Sequence, residues 1–235
     1  MTKVKNWFIK TINSTLGQKM IMSISGLFLI SFLVIHLLGN LMLFKEDGGT
    51  AFNAYANFMS TSSLIKLVEI VLVLGFGLHI YTAWRLTKYN KQIRPQAYVY
   101  SRPDVNSSWI ARNMGFVGSI VLIFLLIHLY NFWFKYKFMA DMPMIATGEY
   151  KDLYSFLKLT FIEEWWISVF YIIAMIFFSL HLAHGFESSL QTLGLYHKKY
   201  TPMLKKLGLL FAIIVPAGFA VMPLYFLSQF FLGNY

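Results

Sequence analysis

Five long apolar runs, separated by polar segments, dominate this chain. A helix needs roughly 20 consecutive apolar residues to cross the hydrocarbon core of a bilayer, and each run is about that long. Because no water is available there, the backbone polar groups must bond to one another, so the runs are expected to be helices. The predicted spans are residues 20–44, 64–87, 113–134, 165–186 and 207–231. The pattern predicts an all-α integral membrane protein, with one transmembrane domain over residues 1–235.

The segments outside the runs are too short to suggest a further domain. Residues 1–19 lack an apolar core of signal-peptide length. Their apolar residues fall on one helical face, which predicts a short helix at the membrane surface: Trp7, Phe8, Ile12 and Leu16. A second interfacial helix is predicted in residues 138–164 from another apolar set: Leu153, Phe156, Leu157 and Phe161.

The fifth run differs from the others because it contains no histidine and no charge. Pro216 and Pro223 lie inside it and are expected to kink the helix. We expect this helix to be peripheral, with a role in packing.

Composition and charge agree with a membrane protein and give its orientation. The chain is 57% hydrophobic and only 13% charged, about half the charged fraction of a soluble domain. Of its 20 lysines and arginines, 14 flank the N-terminus and the segments after the second and fourth runs. The positive-inside rule therefore places the N-terminus in the cytoplasm and the C-terminus outside. The same rule accounts for the net charge of +10, so nucleic acid is not expected as a partner.

The absence of cysteine excludes several kinds of site. Disulfides, cysteine-ligated zinc, iron–sulfur clusters and covalently attached haem all require that residue. Candidate chemistry must therefore come from other side chains.

Each of the first four runs carries a histidine shortly before the first charge at its exit; the first three runs have one each, and the fourth has two, His181 and His184. The separations are nine residues for His36, six for His79, seven for His128 and six for His181. Because consecutive helices cross in opposite directions, His36 and His128 are expected at an outer level and His79 and His181 at an inner level. At 1.5 Å rise per residue the two levels are roughly 10–15 Å apart.

Two histidine pairs at two depths are what two stacked haems with two axial imidazoles each require. A lone histidine in a membrane helix is more often a hydrogen-bonded packing residue, but four at matching depths favour ligands. Small residues near the histidines leave room for a macrocycle: Gly75, Gly77, Gly115, Gly118, Ser179 and Ala183.

His181 and His184 compete for the fourth ligand position because they share one helical face. Depth favours His181, which leaves His184 to bind a haem propionate or to face the headgroups. Arg85 is a further candidate for a propionate contact, although anchoring at the membrane interface alone would explain it. Ser23 and Ser25, at the inner end of the first run, are weaker candidates of the same kind.

The chain resembles the cytochrome b membrane-anchor subunit of succinate dehydrogenase or fumarate reductase (respiratory complex II), in the single-polypeptide form with two haems. The resemblance covers nearly the whole chain. It is carried by the four histidines, by Leu33-Val34-Ile35-His36, by Glu69 ten residues before His79, and by the segment from His181 to Gly194. Some relatives have a glutamate two residues before the fourth ligand, proposed to assist proton transfer; Ser179 stands there, which leaves that pathway in doubt.

The resemblance implies a function in the bacterial cytoplasmic membrane. His79 and His181 would hold the haem b near the cytoplasm, and His36 and His128 the distal one. A flavoprotein and an iron–sulfur subunit would dock on the cytoplasmic face, and electrons would pass between them and a quinone, menaquinone by expectation. Such a subunit serves the tricarboxylic acid cycle, does not oxidise succinate alone, and is compatible with a higher oligomer.

Glu69 has two interpretations at the sequence level. It could pair with Lys66 on the surface, or its carboxylate could exchange protons with the quinone near the distal haem. His197, in a basic loop, is expected to be solvated, and Asn53 has no assignable role.

Two other functions are alternatives at the sequence level. A haem b subunit of a formate dehydrogenase or hydrogenase would have partners on the opposite side of the membrane. A proton-coupled transporter with histidine relays would show internal repeats and broken helices, and the sequence has neither.

Overall fold

The computed structural model describes residues 2–93, 107–139 and 142–233. Within these ranges the regular structure is helical, apart from an isolated bridge between Met144 and Lys151. The helices are α1 (Thr2–Asn13), α2 (Thr15–Asn40), α3 (Thr50–Thr61), α4 (Ser63–Ile93), α5 (Trp109–Arg112), α6 (Met114–His128), α7 (Lys135–Phe138), α8 (Leu153–Glu163), α9 (Trp165–Thr192) and α10 (Thr201–Phe231). A 3-10 turn, Leu41–Phe44, extends α2, and a π-helical segment, Leu129–Phe134, joins α6 to α7.

Within the described residues, five helices are long and apolar enough to cross a membrane, which confirms the multi-pass prediction. In chain order, the first to fifth spans are Thr15–Phe44, Ser63–Ile93, Met114–Phe138, Trp165–Thr192 and Thr201–Phe231. Several extend beyond the apolar runs; the second, for example, continues through Lys88 and Lys91. A helix propagates cheaply once nucleated, so polar residues outside the hydrocarbon core continue it. Hydropathy therefore predicts where the apolar part of a span ends, and the helix itself can continue beyond that point.

The first four spans form a ring. The first packs against the second and the fourth, and the fourth also packs against the third; the second and third have few contacts. The first span therefore lies opposite the third, and the second opposite the fourth. The fifth span packs along the fourth and also contacts the first and α8. It is continuous through Pro216 and Pro223, which are fully buried, and the kink expected there stays a prediction.

A hydrophobic core lies at one end of the ring, called the outer end here after the orientation predicted from the sequence. Phe52 of α3, Leu157 and Phe161 of α8, Tyr171 of the fourth span and Phe226 of the fifth belong to one buried cluster. A helix is present over Leu153–Glu163, within the region where an interfacial helix was predicted, but Leu157 and Phe161 are only 6% and 4% exposed. Their apolar face therefore packs inside the protein, because the outer ends of the spans offer it an apolar surface to bury.

A polar clasp holds α3 to the start of α8. Asn53 is 3% exposed; its side-chain Nδ2 donates to Oδ1 of Asp152 at 2.7 Å, and its Oδ1 accepts from the backbone N–H of Tyr154 at 2.9 Å. Asp152 also accepts from the backbone N–H and the hydroxyl of Ser155. Burial raises the pKa of Asp152, but the hydrogen bonds from Ser155, Asn53 and Tyr154 together hold the pKa below its ordinary value. Asn53 is thus a structural link between segments almost 100 residues apart.

The N-terminal helix is present as expected, and it is joined tightly to the first span. Ser14 caps α2 by accepting from the backbone N–H of Gly17 at 3.0 Å. A Cβ at Gly17 would lie 2.0 Å from the carbonyl oxygen of Thr11, so only glycine fits this corner. Trp7 and Leu16 are exposed, and the position of α1 at the membrane surface stays a prediction.

Candidate functional site

Two histidine pairs lie inside the ring of four spans. His36 faces His128, with ring centroids 5.8 Å apart and planes at 79°. His79 faces His181, with centroids 6.2 Å apart and planes at 67°. Each pair joins opposite spans, the first with the third and the second with the fourth. All four histidines are half-buried.

The separation within each pair suits one metal ion held between the two rings. A histidine nitrogen lies about 2 Å from a first-row metal ion that it binds. With ring bonds of about 1.3 Å, the same nitrogen lies about 1.1 Å from the centre of its ring. Two imidazoles on opposite sides of one ion therefore have centroids about 6 Å apart. Both observed separations are close to this value.

The outer pair is surrounded by aromatic rings. Phe32 stacks on His36 at 5.1 Å, and Phe124 stacks on His128 at 5.6 Å. Further rings contact this pair from three other elements: Phe132 from the π-helical segment, Tyr171 from the fourth span and Phe219 from the fifth. This aromatic enclosure excludes water from the outer level. The sequence contained a signal for it, since Phe32 and Phe124 both lie four residues before a histidine, on the same helical face.

The inner pair is approached by small residues instead. A Cβ at Gly26 would lie 3.3 Å from Cε1 of His79, and a Cβ at Gly118 would lie 3.8 Å from Cε1 of His181. Of the small residues predicted to make room, Gly118 is thus next to a histidine ring. Gly75 lies against Phe28, and a Cβ at Gly77 would contact nothing within 4 Å. Gly26 was missed because it lies one span away from the histidine that it adjoins.

Polar side chains of the first span contact the histidines. Ser25 Oγ lies 3.1 Å from Nδ1 of His79, and Asn40 Nδ2 lies 3.4 Å from Nδ1 of His36. By contrast, the Nδ1 atoms of His128 and His181 are buried without a hydrogen-bond partner among the described residues. A buried polar atom without a partner costs about 1–3 kcal/mol. Apolar packing alone is therefore a poor reason for these imidazoles to be here.

The competing candidate for the fourth ligand, His184, is half-buried three residues beyond His181, and it is the His181 ring that faces His79. Ser23 is 7% exposed and Arg85 is half-buried, six residues beyond His79. That spacing puts Arg85 about 9 Å further along the helix axis. Contacts of Ser23, Arg85 or His184 with a propionate stay predictions.

Glu69 does not form the surface pair with Lys66 that the sequence suggested as one alternative. Its carboxylate accepts from Nζ of Lys137 at 2.6 and 2.7 Å and from Nε1 of Trp133 at 2.6 Å. Both partners belong to the outer end of the third span. The carboxylate pairs with Lys137 rather than Lys66 because Lys137 reaches it across the gap between two spans, beside the indole N–H of Trp133. Glu69 therefore ties the second span to the third, where the two otherwise have few contacts.

A π-helical segment follows His128 directly. Such segments insert an extra residue into a helical turn and occur frequently at functional sites. Asn131 within it is 5% exposed, with Nδ2 unpartnered among the described residues. Asn131 also lines a groove of about 420 Å³ between the outer ends of the third and fourth spans.

No group of three or more His, Asp or Glu side chains converges within the ranges that the structure describes. A metal site built from side chains alone is therefore not seen in those ranges. A haem needs fewer protein ligands, because the porphyrin provides four iron ligands and the protein only two. Comparison of the chain with protein-family models, with curated proteins and with solved structures finds no match.

Proposed function

We propose that this chain is the membrane anchor and electron-transfer subunit of a succinate:quinone oxidoreductase, and that it holds two b-type haems. The observation that carries the proposal is the pairing of four histidines from four consecutive spans. The pairs lie across the two diagonals of the ring, with centroids 5.8 and 6.2 Å apart. Sequence separation does not dictate that pairing, since each pair joins residues about 100 positions apart.

His36 and His128 would hold the outer haem, and His79 and His181 the inner one. When bound, each haem supplies a one-electron redox centre. The chain contributes the axial imidazoles, the hydrogen bonds that orient them and the exclusion of water. The aromatic enclosure makes the outer level the more apolar of the two, whereas Ser25 brings a hydroxyl to the inner level. These different surroundings would give the two haems different reduction potentials.

The charge distribution gives the side on which soluble partners would dock. Of the 20 basic residues, 14 flank the side that the positive-inside rule makes cytoplasmic. With no cysteine and no soluble catalytic segment, the chain depends on other subunits for succinate oxidation. The proposed partners are a flavoprotein and an iron–sulfur subunit, in the cytoplasmic membrane of a bacterium.

A quinone, menaquinone in our proposal, would exchange electrons and protons at the outer level. Glu69 is the candidate carboxylate for proton exchange, and its side chain is 26% exposed. The carboxylate can take up a proton from the quinone reaction only after its ion pair with Lys137 opens. Glu69→Gln should therefore slow the quinone reaction and leave the haem content unchanged.

Co-purification with the soluble partners tests the proposal. The chain is expressed with the flavoprotein and iron–sulfur genes of a succinate dehydrogenase, purified in detergent, and mixed with succinate. The proposal predicts a stable three-subunit complex whose b-type absorbance bands appear on addition of succinate. A complex that forms without those bands would contradict the electron-transfer role. Haem that is reduced by formate or hydrogen through other subunits would favour a different quinone-linked enzyme.

A further inference from the structure

The hydroxyl of Ser25 has two neighbours, and they determine where its proton goes. Ser25 Oγ lies 3.1 Å from the backbone carbonyl oxygen of Met22 and 3.1 Å from Nδ1 of His79. A serine hydroxyl has one proton to donate and two lone pairs to accept with. Both contacts are hydrogen bonds only when the hydroxyl donates to the Met22 carbonyl, which can only accept; a hydroxyl that donated to Nδ1 would leave two acceptor oxygens facing each other at 3.1 Å. In the arrangement that satisfies both contacts, a lone pair of the oxygen faces His79, and Nδ1 of His79 donates the proton of the second hydrogen bond.

This assignment fixes the tautomer of His79. A neutral imidazole carries one N–H and one lone pair, so a proton on Nδ1 leaves the lone pair on Nε2. Ser25 is 6% exposed, which limits competition from water. The adjacent Gly26 brings the backbone of the first span against the same ring, where an added Cβ would lie 3.3 Å from Cε1. The backbone carbonyl of Met22 also lies within reach of the His79 ring. Ser25, Gly26 and this carbonyl together limit the rotation of His79, and Ser25 supplies an acceptor for its Nδ1.

We propose that Ser25 is a positioning residue that holds His79 in the tautomer with a free Nε2 and raises its electron donation to a bound iron. The effect on a bound iron rests on the proposed function, whereas the hydrogen bond between Ser25 and His79 does not depend on it. Hydrogen bonds to the second nitrogen of a ligating histidine orient the ring and increase its basicity. His181, the partner of His79, has no such acceptor for its Nδ1 among the described residues. The inner pair is therefore asymmetric, and Ser25 acts on one of its two imidazoles.

Three variants of the full chain test this role: Ser25→Ala, Ser25→Thr and Ser31→Ala. Ser31 is a matched control because it lies on the same helix and its hydroxyl also donates to a backbone carbonyl, that of Phe28, at 2.7 Å. Ser31 is exposed. Threonine at position 25 keeps the hydroxyl and should rescue the effects of alanine.

The first readout needs no haem. Nitrogen NMR of ¹⁵N-histidine-labelled, haem-free protein in detergent reports the tautomer of each histidine, and His79→Ala assigns the signal. The His79 signal should show the Nδ1–H tautomer in the wild type and in Ser31→Ala, and a mixture in Ser25→Ala. An unchanged His79 signal in Ser25→Ala would overturn the positioning role, whatever the function of the chain.

The second readout is the haem itself in the loaded protein. Loss of a hydrogen bond from a ligating histidine typically weakens metal binding roughly 10- to 100-fold, so Ser25→Ala should lose haem from one site more readily. Reduced electron donation favours ferrous iron, so one midpoint potential should rise. A tenfold change in the ratio of ferric to ferrous affinity corresponds to about 59 mV for one electron.

The two failures are distinguishable. If the wild-type protein binds no haem, the proposed function is contradicted, but the tautomer measured by NMR in haem-free protein is unaffected. If Ser25→Ala and Ser31→Ala shift the potential equally, or if Ser25→Thr fails to restore it, the role of Ser25 as a hydrogen-bond acceptor is overturned.

Discussion

Removal of the Asn53 side chain should destabilise the protein through loss of the polar clasp. Asn53→Ala deletes two hydrogen bonds, one to the Asp152 carboxylate at 2.7 Å and one from the Tyr154 backbone N–H at 2.9 Å. A hydrogen bond to a charged group contributes about 1.5–3 kcal/mol, and a buried N–H without a partner costs about 1–3 kcal/mol. Because Asp152 is half-buried and keeps its bonds from Ser155, we take the lower part of both ranges. The expected loss is about 3 kcal/mol.

Thermal unfolding in detergent micelles, followed by tryptophan fluorescence, measures the effect. For a chain of this size, 3 kcal/mol corresponds to a fall in Tm of about 6–12 °C. Asn57→Ala is the matched control, one turn further along α3 at a half-buried position, and it should lower Tm by much less. In an Asp152→Asn background the cost of Asn53→Ala should shrink, because the charged acceptor is gone. Equal Tm values for Asn53→Ala and Asn57→Ala would refute the clasp as a stabilising element.

Four further substitutions test the pH dependence of the clasp and other parts of the fold. Hydrogen bonding holds the pKa of Asp152 below its ordinary value of 3.8. The clasp therefore makes its full contribution to the stability of the folded protein above about pH 4. Its contribution is lost as the pH falls through the lower folded-state pKa, and the Tm of Asp152→Asn should vary less with pH in that range. A Cβ at Gly208 would lie 2.1 Å from the Phe186 ring, so Gly208→Ala should cost about 1–3 kcal/mol through overpacking. Gly185→Ala, where no atom lies within 4 Å, should gain up to about 1 kcal/mol from helix propensity; a reversed order by thermal unfolding would contradict the packing. Tyr171→Phe removes a buried hydroxyl that lies near the Asn131 side chain but makes no hydrogen bond of normal geometry among the described residues, so its Tm should stay within a few degrees of wild type; a large loss would indicate that the contact with Asn131 is a stabilising hydrogen bond.

The membrane spans and the pairing levels could be predicted from the sequence because both follow from local properties. Apolar length gives the spans, and a rise of 1.5 Å per residue converts the spacing of a histidine from its helix exit into a depth. Depth and helix direction together are enough to group His36 with His128 and His79 with His181. The choice of His181 over His184 used the same argument.

The contacts around those histidines could not be predicted in the same way, because they join distant parts of the chain. Ser25 and His79 are 54 residues apart, Asn53 and Asp152 are 99 apart, and Glu69 meets Lys137 rather than its neighbour Lys66. The fifth span, expected to be peripheral, supplies Phe219 to the outer pair. Which side of each helix faces the ring depends on packing between spans, and hydropathy does not record it when lipid-facing and protein-facing residues are equally apolar.

The most direct test of the central claim is the haem content of single histidine variants, measured by the pyridine haemochrome method on purified, full-length protein. Two haems per wild-type chain are expected. His36→Ala and His128→Ala should each lose the same haem, recognised by its midpoint potential, and His79→Ala and His181→Ala should each lose the other. His184→Ala should keep both. A wild type without haem, or variants whose losses group the histidines in any other way, would contradict the account.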